Sequence, residues 1–143
     1  MDKLARIVLL GIAAGLVVSI WGTVSHLVLS PFATGADLFF KKQDFHLILI
    51  TFAFNVAVGF FYVAAYALIG GAGGAAPWRR LLSFWGVLCL AGVAPRALFL
   101  YRYLSLPDKY VIGWAVSWLA EALLVAGVVV LLWPRPKAAV KGS

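Results

Sequence analysis

Four polar residues stand inside long apolar stretches of this sequence: His26, Asn55, Arg96 and Glu121. A carboxyl group in such a place can hold a proton or a cation, and a guanidinium can receive an anion. Ionisable side chains in lipid are costly and usually face the interior of the protein. We therefore predict that these four residues form one intramembrane polar site.

Further side chains share helical faces with these four residues. Steps of three or four residues along a helix keep side chains on one face. On the first stretch, a face of small residues ends in His26, and its Gly11 and Gly15 form a GxxxG pattern that predicts close helix packing. On the second and fourth stretches, the faces of Asn55 and Glu121 carry four more polar or aromatic residues. These are the predicted lining of the site: Thr51, Tyr62, Trp114 and Ser117.

Arg96 and Glu121 are the strongest pair in this set. Counted at 1.5 Å per residue from the outer helix ends, they lie roughly 12 and 15 Å deep. Pro95, which has no N–H, precedes Arg96, and Cys89 and Gly92 share its predicted face. The pair could be a structural lock, or it could belong to a polar cavity in which Arg96 receives an anion and Glu121 carries a proton or cation. Arg96 could also pair with a partner subunit or extend to the outer interface.

The composition excludes most classes of soluble protein. Of the 143 residues, 64% are hydrophobic and only 12% are charged, whereas soluble domains average about 45–50% and about 25%. A chain of this length cannot hide so much apolar surface from water, so we predict that lipid is its main solvent. The single cysteine, Cys89, excludes an internal disulfide and any zinc site built on several thiolates.

Four stretches reach the roughly 20 mostly apolar residues that a membrane-spanning helix needs. We predict an all-α, polytopic integral membrane protein, one membrane domain over residues 1–143, with an antiparallel bundle of four transmembrane helices. The first stretch is predicted to be a retained helix rather than a signal peptide, because it is longer than a typical signal core. The predicted helices are Ile7–Ser30, His46–Ile69, Leu81–Leu104 and Val111–Trp133.

The basic residues beside the helix ends predict the orientation. Seven lie on the side of the two termini and four on the other side, so we predict that both termini are cytoplasmic (N-in, C-in). The predicted location is the inner membrane of a bacterium, as a multi-pass protein, and nucleic acid is not an expected partner. Four basic residues at the inner ends are predicted to attract anionic lipid: Arg79, Arg80, Arg135 and Lys137.

Catalytic patterns are absent from the sequence, which contains no nucleophile elbow, zinc-protease motif or phosphate-binding loop. Ser25 and His26 point apart on a helix and form no dyad. We therefore expect no catalytic residues, no metal site and no enzyme activity. His26 and His46 lie near the outer ends of adjacent helices and could hold one haem, although a hydrogen-bonded packing role for His26 is the better prediction.

These features leave three functions open. The first is a non-enzymatic ligand-binding protein, or an accessory or assembly subunit of a larger membrane complex. The second is a proton- or ion-coupled transporter of a small solute that works as a homo-oligomer, with Glu121 as the coupling carboxylate. The third is a redox module that binds haem or quinone. The length and helix number are similar to those of the small multidrug transporters, but their membrane glutamate lies in the first helix and Glu121 lies in the fourth, so no site is carried over.

Overall fold

The computed structural model describes residues 3–29, 45–69, 76–103 and 108–133, which are almost entirely helical. A five-residue π turn, Cys89–Val93, joins α3 (Pro77–Leu88) to α4 (Ala94–Tyr103), so that these two helices form one continuous third long helix. Arg135 and Lys137, two of the predicted lipid contacts, lie outside the described residues. The helices are α1 (Lys3–Leu29), α2 (Phe45–Leu68), α3 (Pro77–Leu88), α4 (Ala94–Tyr103) and α5 (Asp108–Leu132).

Four long helices are apolar enough to span a membrane, as the sequence predicts. Three of them begin three or four residues before the predicted starts, at Lys3, Pro77 and Asp108. An apolar run stops at the first polar residue, but a helix can continue past it. Proline is favourable at the first helical position because no regular helix hydrogen bond needs its N–H. A carboxylate is favourable in the first turn because it faces the positive end of the helix dipole.

α1 lies between two neighbours, α2 on one side and α5 on the other, and α5 in turn packs against the third long helix. Gly15 of α1 lies against Val56, while Leu29, at the end of α1, lies against Gly113 near the start of α5. Both neighbours of α1 therefore run antiparallel to it. This arrangement is consistent with the predicted helical bundle, and α5 is its most buried helix.

The crossing of α1 and α2 brings the two backbones into contact. A Cβ added at Gly15 would lie 2.6 Å from the Cα of Val56, and one added at Gly59 would overlap the backbone of Gly11 and Gly15. The close packing predicted from the GxxxG pattern is therefore confirmed, with Gly59 as its partner on α2. A Cβ added at Gly22 meets no atom within 4 Å, so the two helices separate beyond this crossing.

Apolar side chains from all four long helices fill the space between the helices. Tyr66 of α2 packs edge-on against Phe84 at 4.9 Å and against Trp133 at 5.0 Å between ring centroids. The contact with Phe84 connects α2 to the third long helix, and the contact with Trp133 connects it to the end of α5. The most deeply buried members of this core are Ala14, Val63, Phe84, Val125, Ala126 and Val129.

The third long helix changes its register at the π turn. Its buried positions advance by four residues from Phe84 to Leu88, and then by five to Val93. The Ala94 N–H bonds to the carbonyl of Cys89, five residues earlier, and the next residue, Pro95, has no N–H to donate. The π turn spends one residue more on its turn than a regular helix does, so every later residue points about 100° away from where it would point if the same residues wound as a regular helix. The facing of α4 is therefore set by the π turn.

Candidate functional site

Three polar side chains from three helices meet around one small, largely enclosed cavity. Tyr62 comes from α2, Arg96 from α4 and Glu121 from α5. The Arg96 guanidinium lies beside the phenol oxygen of Tyr62 and acts electrostatically on the Glu121 carboxyl. We call these three residues the polar cluster. The structure thus brings together the predicted pair Arg96 and Glu121, with Tyr62 from the predicted lining.

The antiparallel course of the helices explains how Arg96 and Glu121 reach each other. At 1.5 Å per residue, the Arg96 Cα lies roughly 10 Å from the end of α4, and the Glu121 Cα lies roughly 20 Å from the start of α5. Long side chains on helices lean towards the N-terminus of their own helix. The two side chains therefore lean towards each other, and this lean offsets part of the difference in depth. Glu121 is only 8% exposed, whereas Arg96 is exposed.

The cavity is small. Its volume is about 10 Å³, measured as the space open to the centre of a water molecule. One buried water needs about 10–15 Å³ on this measure and two to four polar partners. The polar cluster supplies such partners, so the cavity suits one species the size of water, and an organic ligand does not fit inside it. Its remaining walls are Leu88, Gly92, Val93, Trp118 and Ala122.

A second polar layer lies one helical turn closer to the start of α5. The Ser117 hydroxyl donates to the Ser25 hydroxyl at 2.6 Å. The Trp21 indole N–H donates to the Ser117 carbonyl at 2.9 Å and to its hydroxyl at 3.1 Å. Ser117, predicted to line the site, is therefore buried in a separate network that joins α5 to α1. We call Trp21, Ser25 and Ser117 the serine network.

The residues predicted to share one polar face of α2, Thr51, Asn55 and Tyr62, lie in different surroundings. The Asn55 amide donates to the Ser19 hydroxyl at 3.2 Å, so this half-buried residue joins α2 to α1 outside the cavity. Thr51 is exposed, and its hydroxyl donates to the Leu47 carbonyl of its own helix at 2.8 Å. Of this face, the cavity lining includes Tyr62 alone among the described residues.

Both histidines of the sequence are exposed. His26, predicted in the polar site, does not line the cavity. The reason is rotational: neighbouring residues on a helix are about 100° apart, and α1 buries Ser25 against Ser117, which turns His26 outwards. Among the described residues, no group of three His, Cys, Asp or Glu side chains could hold a metal ion.

Trp114, also predicted as lining, reaches the cavity only through a neighbour. Its ring packs between Tyr110 at 6.1 Å and Trp118 at 5.9 Å, and Trp118 is a wall of the cavity. The buried indole N–H of Trp114 has no hydrogen-bond partner among the described residues. Trp118 itself was not predicted, although it lies three residues before Glu121 and so on the same helical face.

Trp21 and Ser25 were also missed as site neighbours. Sequence spacing offers no signal for Ser25, because it lies six residues after Ser19 on α1 and therefore about 120° away around the helix. Taken together, the cluster provides hydrogen-bond donors from Arg96 and Tyr62, and an acidic group that can hold or release a proton.

No family model, curated protein or solved structure matches this chain.

Proposed function

We propose that this chain is a multi-pass protein of a bacterial inner membrane, with four spanning helices and both termini in the cytoplasm. Two observations support this proposal. Four helices are long and apolar enough to span, and basic residues are in excess on the side of the termini. At that side Arg79 lies over the ring of Trp78 at 5.2 Å, a pairing suited to the headgroup region where aromatic and basic side chains meet anionic lipid.

Within this protein, the polar cluster is a non-enzymatic binding site. The observation that supports it is the convergence of Tyr62, Arg96 and Glu121 from three helices on one cavity. Charged groups in a membrane interior are costly and typically mark ligand or ion sites. The cavity lining contains no serine, cysteine or histidine within the described part of the chain, so it offers an acid and two donors but no activated nucleophile.

Mass spectrometry under non-denaturing conditions tests this function. Protein purified in mild detergent should retain a small molecule or a partner protein, and Arg96→Met should lose it. Arg79→Met is the matched control, because it removes the same charge near the start of α3, away from the cavity. A wild-type chain that carries nothing, or a bound species that Arg96→Met and Arg79→Met retain equally, would defeat the proposal. A retained protein would support the version in which the chain is an assembly subunit.

The electrostatic interaction between Arg96 and Glu121 has its own test, a double-mutant cycle with Arg96→Met and Glu121→Leu. Removing one partner of a buried charge pair costs up to about 3–5 kcal/mol. Because Arg96 is exposed on one side and can extend outwards, we expect the lower part of that range for Glu121→Leu. The double variant should recover part of the loss, with a coupling of about 0.5–3 kcal/mol in thermal unfolding. Additive losses would mean that the two side chains do not interact.

A second candidate is proton-coupled transport by an oligomer. It is favoured by a cavity that suits one water molecule beside the Glu121 carboxyl, since water and a carboxyl together can pass a proton. Liposomes containing the protein would be offered small polar solutes under a proton gradient, with internal pH as the readout. Glu121→Gln should abolish solute-dependent acidification.

Solute-dependent acidification that is unchanged in Glu121→Gln would defeat this candidate. The weaker haem alternative, through the exposed His26 and His46, is decided by the visible absorption spectrum of the purified protein.

A further inference from the structure

A groove lies on the other side of Arg96 from the enclosed cavity. It has a volume of about 310 Å³, is open to the outside of the helix bundle, and has an almost wholly apolar surface. Two residues, Arg96 and Trp118, line both the groove and the cavity. The two side chains are therefore the wall between a polar interior and a hydrocarbon-facing surface. The groove is lined by Pro95, Arg96, Phe99, Leu100 and Trp118.

The groove lies where the third long helix departs from regular geometry. Pro95 follows directly after the π turn and lines the groove. A proline and a π turn are both known causes of kinks, because each removes a regular backbone hydrogen bond. After this irregular segment, Phe99 and Leu100 of α4 line the groove together with Trp118 of α5.

The chemistry on the two sides of the wall defines a ligand class. The groove offers apolar surface and the stem of Arg96, which suits a hydrocarbon tail. Beyond the wall, Arg96 and Tyr62 offer hydrogen-bond donors, and the acidic group of Glu121 lines the same cavity as Arg96. A headgroup that accepts hydrogen bonds and is itself uncharged suits a site that already holds one acidic group beside its one cation, whereas an anionic headgroup would add a second acid.

We propose that Arg96 and Trp118 form a side gate, through which the polar cluster receives the carbonyl-bearing headgroup of an uncharged, membrane-soluble amphiphile whose tail occupies the groove. This inference rests on the proposed binding function of the cluster. The enclosed cavity holds only about one water, so the headgroup binds at the wall with Arg96 turned towards it. A ligand of this kind reaches the site from the bilayer and needs no aqueous pathway.

Photolabelling tests the gate in wild-type protein reconstituted in lipid nanodiscs. The probe is a monoacylglycerol with a diazirine in its tail, with unlabelled decylubiquinone as competitor, because both have uncharged carbonyl headgroups. We expect labelling concentrated on the segments around Phe99 and Trp118, and its loss when the competitor is added. Labelling spread evenly over the lipid-facing helices would overturn the proposal, as would a stronger signal from an anionic photoreactive fatty acid.

A pair of variants on α4 separates the groove from general lipid contact. Leu100 lines the groove, whereas Leu98 is 66% exposed on the same helix and does not. Leu100→Trp should block specific labelling and Leu98→Trp should leave it intact. If Leu100→Trp fails to fold, Phe99→Trp fills the same space from a more exposed position. Equal labelling of the groove-filling and control variants would refute the gate.

The headgroup contact has a separate readout. Arg96→Met removes a charged donor while keeping an apolar stem, and should weaken competition by decylubiquinone about tenfold, as expected for loss of one hydrogen bond to a charged group. Unchanged competition would refute the headgroup contact.

The same variants distinguish a failure of the side gate from a failure of the proposed binding function. If the cluster binds a water-soluble ligand, Arg96→Met will release that ligand and Leu100→Trp will not. In that outcome the binding site stands and the side gate is wrong.

Discussion

Gly59→Ala is the substitution for which the structure predicts the largest effect from the smallest change. The added methyl group would overlap the backbone of Gly11 and Gly15. At Gly15, on the other helix of the crossing, an added Cβ would lie about 1 Å closer to the backbone of Val56 than ordinary van der Waals contact allows. Helix backbones cannot move aside as a flexible side chain can, so α1 and α2 must separate. Overpacking of this kind costs about 1–3 kcal/mol, and the better helix propensity of alanine returns about 0.5–1 kcal/mol. We expect a net loss of about 1–2 kcal/mol.

The assay is thermal unfolding in detergent, with Gly22→Ala as the control on α1. An added Cβ at Gly22 meets nothing within 4 Å, so this variant should gain about 0.5–1 kcal/mol from propensity alone. Tyr62 lies one turn beyond Gly59, so the separation of the helices should also withdraw it from Arg96 and weaken retention of any bound molecule. If Gly59→Ala is as stable as Gly22→Ala, the two helices do not cross in backbone contact and the reasoning is wrong.

Two further predictions concern the serine network and the orientation of the chain. Ser117→Ala should lower stability in thermal unfolding by about 1–3 kcal/mol, because it leaves the buried Ser25 hydroxyl without its partner; the double variant with Ser25→Ala should be no less stable than Ser117→Ala, and a further loss would argue against the bond. Cysteines placed at Asp37 and Lys109, in a Cys89→Ala background, should both react with an impermeant maleimide from outside the cell. Labelling of the two positions from opposite sides would exclude the four-span arrangement.

The long helices could be predicted because lipid leaves little choice. A backbone in hydrocarbon must satisfy its hydrogen bonds within one segment, so an apolar run of sufficient length is a helix. The association of Arg96 with Glu121 followed from the same physics, since each charge needs a partner. The starts of α3 and α5 lie before the apolar runs that predict these helices, at Pro77 and Asp108, which carry the usual signals of a helix N-terminus.

The rotation of each helix about its own axis could not be predicted in the same way. A soluble helix shows its inner face by being apolar there, but the outer face of a helix in lipid is equally apolar. On α1 the choice between Ser25 and His26 depended on Ser117 of α5, which sequence spacing along α1 does not contain. The stripe of α2 was likewise predicted as one face, yet Asn55 found its partner on α1 and only Tyr62 lines the cavity.

The π turn makes the polar cluster depend on how the backbone is wound as well as on residue identity. Cys89–Val93 contains one residue more than regular helix geometry would need to bring α4 to the same direction. If all five residues wound as a regular helix, α4 would turn by about 100° and Arg96 would leave Tyr62 and Glu121, although no residue had changed. A distant relative that is one residue shorter in this segment would instead hold its arginine in the same direction with a regular helix, so an alignment of the two chains needs a gap here.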